Sequence, residues 1–131
     1  MKGNIDNFGK NAGKIWRALE KYGPLNETDL IKKIRLNKND FYAGLGWLAR
    51  ENKICKFGVK YQLGDTNLTT DIGSNAGKVW HTLNTLQDIN ISTIAENSQI
   101  TIKDAYSALG WLARENKIQT SKGKKLRYKL K

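Results

Sequence analysis

The ten residues LGWLARENKI occur twice in the chain, at Leu45–Ile54 and again at Leu109–Ile118. The two copies lie 64 residues apart, and the segment NAGKIW at Asn11–Trp16 returns as NAGKVW at Asn75–Trp80 with the same offset. Between positions 11 and 54, 19 of 44 residues are identical to the residue 64 positions later, with no gap. Because chance does not produce such a match, the sequence contains an internal duplication.

The duplication predicts two homologous modules, residues 1–64 and residues 65–131. We expect their joint around residues 64–74, because the segment GDTNLTTDIGS is polar and rich in Gly, Asp and Thr. The chain is long enough for two very small domains, and its 4 Trp, 5 Tyr and 3 Phe can furnish their cores.

The same order of secondary-structure patterns is found in both modules. Asn11 and Asn75 are candidate N-caps for a first helix, which Gly23-Pro24 ends in the first copy. Next come a short extended piece at Leu25 or Ile89 and a short helix over 28–34 or 92–97. A turn then leads to a longer helix over 39–52 or 103–116. Each module ends in two strands, over 53–57 and 60–63 or over 117–121 and 125–130.

This order of helix, strand, helix, turn, helix and hairpin predicts two tandem winged helix-turn-helix modules. The fold class is α+β, mainly α.

The blocks AGLGWLARENKI and SALGWLARENKI, together with the AGKVW-type first helix, resemble a small, largely uncharacterised prokaryotic family of winged helix-turn-helix proteins. The resemblance spans Phe8–Leu63 and Asp71–Leu130. It implies a winged-helix fold, a DNA-binding role and a tendency to dimerise, and it implies no target. Members usually carry a single module, so the fused pair predicts a built-in dimer.

One face of each long helix is unsuited to reading bases. Phe41, Leu45 and Leu48 are predicted to face the module's own core, whereas small residues and a large aromatic lie opposite. We expect the two long helices to pack together across a pseudo-twofold axis, because small residues allow helices to approach closely. The predicted inter-module interface comprises Gly46, Trp47, Arg50, Gly110, Trp111 and Arg114. There are two alternatives for this face. The tryptophans could be buried under the hairpins of their own modules, or the face could read base edges directly.

The Arg-Glu pairs that follow the tryptophans favour a salt bridge across or beside the interface. A phosphate contact by Arg50 or Arg114 is the alternative.

A net charge of +11 points to a polyanionic partner, with nucleic acid first. Residues from Lys117 to the end include seven bases and no acid, and the last strand alternates apolar and basic side chains. These features fit a wing that binds phosphates; the alternative is an edge strand protected by lysines. The predicted DNA-binding residues lie on both wings and around the first helix-turn-helix: Lys122, Lys124, Lys125, Arg127, Lys129, Lys56, Lys60, Lys32, Lys33, Arg35 and Lys38. Another basic cluster on the first helix, Lys10, Lys14, Arg17 and Lys21, is more simply a solvated face.

The sequence offers little for catalysis. His81 aligns with Arg17 and Cys55 with Gln119, so neither is repeated, and no metal-ligand spacing or phosphate-binding glycine loop occurs. We therefore expect no catalytic residues, metal or cofactor. No apolar run approaches the roughly 18 residues of a membrane span, so no membrane partner is expected.

The sequence predicts a non-enzymatic protein that binds duplex DNA with low sequence specificity. We expect a monomeric chain that forms an internal pseudo-dimer, is cytoplasmic and associates with the nucleoid. The alternative is a protein-protein adaptor that uses the Gly-Trp face of the long helices.

Overall fold

The computed structural model describes residues 4–121 and 125–131. The first module contains α1 (Asn4–Tyr22), β1 (Leu25–Asn26), α2 (Glu27–Ile34), α3 (Lys38–Arg50), β2 (Ile54–Phe57) and β3 (Lys60–Leu63). A π-helical turn, Thr69–Gly73, runs directly into the second module. That module contains α4 (Ser74–Thr85), α5 (Ile91–Ser98), α6 (Ile102–Arg114), β4 (Ile118–Ser121) and β5 (Arg127–Leu130).

In both modules the short extended piece that precedes the second helix pairs with the second strand of the hairpin. In the first module the antiparallel order is β1-β3-β2, with Leu25 opposite Tyr61. In the second module β4 pairs with β5, and Ile89 and Tyr128 exchange two backbone hydrogen bonds of 3.0 and 2.8 Å. The predicted Leu25 and Ile89 pieces therefore complete the two small sheets.

Side-chain caps define the helix-turn-helix in both modules. The side chains of Asn26 and Asn90 cap the starts of α2 and α5. Each accepts a hydrogen bond from the backbone N–H three residues later, at 2.8 and 2.9 Å. Asn37 and Thr101 cap α3 and α6 in the same way. The second helix of each module ends at a residue in the left-handed region, Arg35 or Gln99. The turn geometry is thus repeated although most of its residues differ.

The predicted start of the first helix is wrong. Helix α1 begins at Asn4, so Asn11 lies inside it and is buried rather than capping its end. Asn75 likewise lies within α4, which the π-helical turn precedes. The additional turns form because each carries an apolar side chain that is buried.

The additional turn of each module packs its apolar side chain in the core of the other module. Phe8, only 1% exposed, packs in the core cluster that contains Val79 and Leu83 of the second module. Ile72, its equivalent 64 residues later, packs with Leu68 in the cluster that contains Ile15 of the first module. The segment around residues 64–74 is therefore more than a polar joint, since it contributes two side chains to the first module's core.

The long helices α3 and α6 pack against each other. A Cβ on Gly46 would lie 1.9 Å from the carbonyl oxygen of Ser107, and a Cβ on Gly110 would lie 1.9 Å from that of Ala43. Ala43 and Ser107 occupy equivalent positions, as do the two glycines, so the contacts are reciprocal. Each glycine is required because the opposing backbone fills the space of a side chain.

We predict that Gly46→Ala lowers the free energy of unfolding by about 3 kcal/mol or more, because its methyl group would meet backbone that cannot rotate away. Gly77→Ala in α4 is the matched control, since a Cβ there has no neighbour within 4 Å. The control should be neutral or stabilise the fold by up to about 1 kcal/mol. Chemical denaturation followed by circular dichroism measures both; wild-type stability for Gly46→Ala would contradict the close approach.

Candidate nucleic-acid interface

The helix that usually enters the major groove in a helix-turn-helix protein is covered here on both sides. In α3 the residues from Phe41 to Ala49 are all buried except Trp47, which is half-buried. Gly44 lies against α1, where a Cβ would be 2.8 Å from Ile15 Cδ1, and Gly46 lies against α6. Exposed polar side chains remain only near the ends of the helix. The middle of α3 is therefore not free to contact base edges.

The tryptophans lie where the two modules meet. A Cβ on Gly9 would be 3.0 Å from Trp47 Cζ2, and one on Gly73 would be 3.2 Å from Trp111 Cζ2. Both rings pack against both core clusters. Each is thus held by the segment that begins its own module while it also contacts the other module.

The Arg-Glu pairs join the modules reciprocally. Arg50 Nε lies 2.9 Å from Glu115 Oε2, and Arg114 Nε lies 2.9 Å from Glu51 Oε2. The guanidinium of Arg50 also lies 5.8 Å from the centre of the Trp111 ring, and that of Arg114 lies 5.9 Å from the Trp47 ring. Such partly exposed pairs contribute only about 0–1 kcal/mol each, so their main effect is on geometry.

A third contact between the modules has no counterpart. The Tyr42 hydroxyl donates a hydrogen bond of 2.9 Å to Glu27 Oε2, and Lys103 Nζ lies 3.9 Å from Glu27 Oε1. At the equivalent positions the chain has Ile91 for Glu27 and Asn39 for Lys103. Burial and the bond to Glu27 raise the pKa of Tyr42 to about 12. Burial and the charge of Glu27 raise the pKa of Tyr61 to about 12.

These two tyrosines predict a loss of stability at alkaline pH. In the unfolded chain a tyrosine ionises near pH 10, so their contribution is complete below about pH 10 and is lost as the pH rises towards 12. Tyr42→Phe should reduce this loss by about 1–2 kcal/mol. Denaturation curves between about pH 9 and pH 12 measure the effect; equal curves for Tyr42→Phe and wild type would contradict it.

The basic residues around the first helix-turn-helix are exposed. Lys32, Lys33, Arg35 and Lys38 all lie on or beside α2 and the start of α3. Lys33 Nζ also lies 4.1 Å from the centre of the exposed Tyr22 ring. The equivalent positions in the second module are Glu96, Asn97, Gln99 and Ile102. This cationic surface therefore belongs to one module only.

The wings place their cations in different surroundings. On the first wing Lys60 is exposed, whereas Lys56 is half-buried with Nζ 5.2 Å from the centre of the Tyr61 ring. On the second wing Lys125 and Arg127 are exposed and Lys129 is half-buried. Arg127 pairs with Asp88 at 3.7 Å. The predicted residues Lys122 and Lys124 lie outside the described residues.

One feature of the first wing was not identified from sequence. Phe57 and Val59 flank Gly58 at the tip of the β2–β3 hairpin, and they are 62% and 71% exposed. The sequence contains the relevant pattern, since apolar residues stand on both sides of a turn glycine where polar residues are usual.

The described residues hold no group of three or more His, Cys, Asp or Glu side chains that could bind a metal ion. Within the same residues no helix is both long and apolar enough to cross a membrane. Cys55 is buried with Sγ 3.6 Å from the Gln62 carbonyl oxygen, and His81 is exposed on α4.

A family model described as a winged helix-turn-helix domain (DUF2582) matches the chain twice, over residues 1–58 and 66–129. The chain belongs to this family. The two matches confirm the resemblance, the tandem duplication and the α+β, mainly α winged helix-turn-helix fold. Winged helix-turn-helix modules of this kind commonly bind DNA. Searches of curated proteins and of solved structures gave no significant match.

Proposed function

We propose that the protein binds duplex DNA without enzymatic activity, chiefly through phosphate contacts and with low sequence specificity. The observation that carries this proposal is the burial of α3 and α6 against each other. Base edges are read by long polar side chains on an exposed helix, and here the corresponding faces hold Gly46 and Gly110 in backbone contact with the opposite helix. A protein arranged in this way depends on contacts that position it on the duplex but carry no sequence information.

Most of the described cations proposed for phosphate contacts are exposed. The proposed contacts are divided among the α2 cluster, the first wing and the second wing: Lys32, Lys33, Arg35, Lys38, Lys56, Lys60, Lys122, Lys124, Lys125, Arg127 and Lys129. Arg50 and Arg114 are a weaker choice, because each is already paired with a glutamate of the other module. The net charge of +11 supports association with a polyanion.

The reciprocal contacts support a second part of the proposal, that the fused modules form a built-in dimer with pseudo-twofold symmetry. In a twofold interface, if one residue contacts a second, the equivalent of the second contacts the equivalent of the first. The glycine contacts and the Arg-Glu pairs both follow this rule at the 64-residue offset. The chain would then need no second copy, and we expect a monomer associated with the nucleoid.

The alternative function, a protein-protein adaptor, would use the Gly-Trp face of the long helices. That face is occupied within the chain, since Gly46, Gly110 and both tryptophans contact the other module. This arrangement favours DNA binding over the adaptor function.

We predict that fluorescence-anisotropy titrations of labelled duplexes show binding that weakens linearly with log salt, with similar affinities for random and AT-rich sequences. Substituting Lys122, Lys124 and Lys125 with Glu should reduce the salt slope by about three and weaken binding by at least about tenfold. Arg127 is left intact because its ion pair with Asp88 would complicate the result.

The matched control substitutes Lys10, Lys14 and Lys21 of α1 with Glu, which changes the net charge by the same amount. It should weaken binding much less, because these residues form the solvated face. Failure of the wild type to bind at low salt would refute the proposal. An equal loss in both variants would show a general charge effect without a wing contact, and a strong preference for one duplex would refute low specificity.

A further inference from the structure

The two wings differ at their tips. On the first wing β2 and β3 are joined by a two-residue loop, Gly58-Val59, and Gly58 has a φ of +61°. A glycine at the first central position is what a type II′ hairpin turn requires. The turn places Phe57 and Val59 at the end of the hairpin, where they are the most exposed large hydrophobic residues among those described.

The folded hairpin does not need these two side chains. Its buried residues are Ile54, Cys55 and Tyr61, which lie further from the tip. Leaving an aromatic ring and a branched side chain in water is unfavourable, and paired exposed apolar residues on a projecting element indicate a contact surface.

The charges around the tip indicate the kind of partner. Lys56 and Lys60 lie on either side of it, with Lys60 paired opposite Phe57 in the hairpin and Lys56 opposite Tyr61. Lys53 precedes the same strand, and the segment from 52 to 64 contains no acidic residue. An apolar tip surrounded by cations is complementary to a ligand that presents apolar surface between two rows of negative charge.

Duplex DNA has that arrangement in its minor groove. Minor-groove proteins insert apolar side chains such as Phe between base steps, and the partly unstacked duplex then bends. The second wing lacks this feature, because Ser121 stands at the position equivalent to Phe57 and is followed by the basic residues Lys122, Lys124 and Lys125.

We propose that the first wing enters the minor groove and inserts Phe57 as a wedge between base pairs, with Val59 beside it, while Lys56 and Lys60 contact the flanking phosphates. The second wing binds phosphates without a wedge, so the bend forms at one end of the bound site. This inference rests on the proposed DNA binding and specifies how the first wing takes part in it.

The test uses the full chain and a duplex that carries 2-aminopurine at an internal step and a donor-acceptor pair at its ends. On binding, the wild type should raise the 2-aminopurine fluorescence, which reports unstacking, and shorten the end-to-end distance. Phe57→Ser, which introduces the residue of the second wing, should lose both changes. Its affinity should fall by about 5- to 20-fold, because a stacking contact is lost. Its salt slope should match that of the wild type, because every lysine remains.

Leu86→Ser is the matched control, since Leu86 is an exposed apolar residue at the end of α4. It should keep the wild-type fluorescence, distance and affinity. Val59→Ser provides a second wing variant, with partial loss of the same readouts. Because both wing positions are highly exposed, thermal unfolding of the wing variants should match that of the wild type.

The outcomes separate the wedge from DNA binding itself. No binding by the wild type would overturn both proposals, whereas binding without unstacking or bending would overturn the wedge alone. The wedge would also be overturned if the Phe57→Ser variant unstacks DNA as much as the wild type does. Two further results would overturn the wedge. If Phe57→Ser abolishes binding of the protein to anionic phospholipid vesicles, the tip serves a membrane. If Phe57→Ser dissociates a dimer that the wild type forms in sedimentation experiments, the tip serves a second copy of the chain.

Discussion

The close approach of α3 and α6 is the constraint on which the rest of the structure depends. Gly46 and Gly110 place each helix backbone against the backbone of the other, which leaves no room for a side chain between them. At this separation the Arg-Glu pairs can form across the contact, and the tryptophans reach both cores. It also brings the first turn of each module within reach of the opposite core, so that Phe8 and Ile72 can be exchanged. A wider separation would disrupt all of these contacts together.

The same constraint limits how the proposed contact with DNA could be made. A helix buried on two faces cannot lie in the major groove with its side chains against base edges. The fold keeps the helix-turn-helix geometry, including the capped α2–α3 and α5–α6 turns, while the helix that normally reads sequence holds the modules together. Under the proposed function, contact with DNA is left to surfaces outside this helix pair, such as the first wing and the basic turn around Arg35. The buried helix pair therefore favours phosphate contacts over base readout as the basis of the proposed binding.

The element order could be predicted from sequence because it depends on local patterns that occur twice: the apolar spacing of the helices and the paired strands around Gly58 and Gly123. The start of α1 could not, because Asn11 is a good local cap and only burial of Phe8 in the other module extends the helix past it. The role of residues 64–74 was missed for the same reason, since Leu68 and Ile72 are buried by a distant partner. The residues of the predicted site lie near one another only in part. Gly46, Trp47 and Arg50 contact residues of the second module, and their equivalents contact residues of the first. The described cations of the predicted site lie on α2, the start of α3 and the two hairpins.

The distribution of identity between the two halves has a physical explanation. Within LGWLARENKI, the Gly, Trp, Arg and Glu of each copy contact the other module, and the two Leu and the Ile fill the core of their own. A change in either copy would therefore disturb both modules at once. The tips of the wings lie outside this shared block and differ in sequence, and one wing carries Phe57 where the other carries Ser121. Under the proposed function, a core with reciprocal contacts and two unlike wings would give the bound molecule a direction along the duplex without base readout by the long helices.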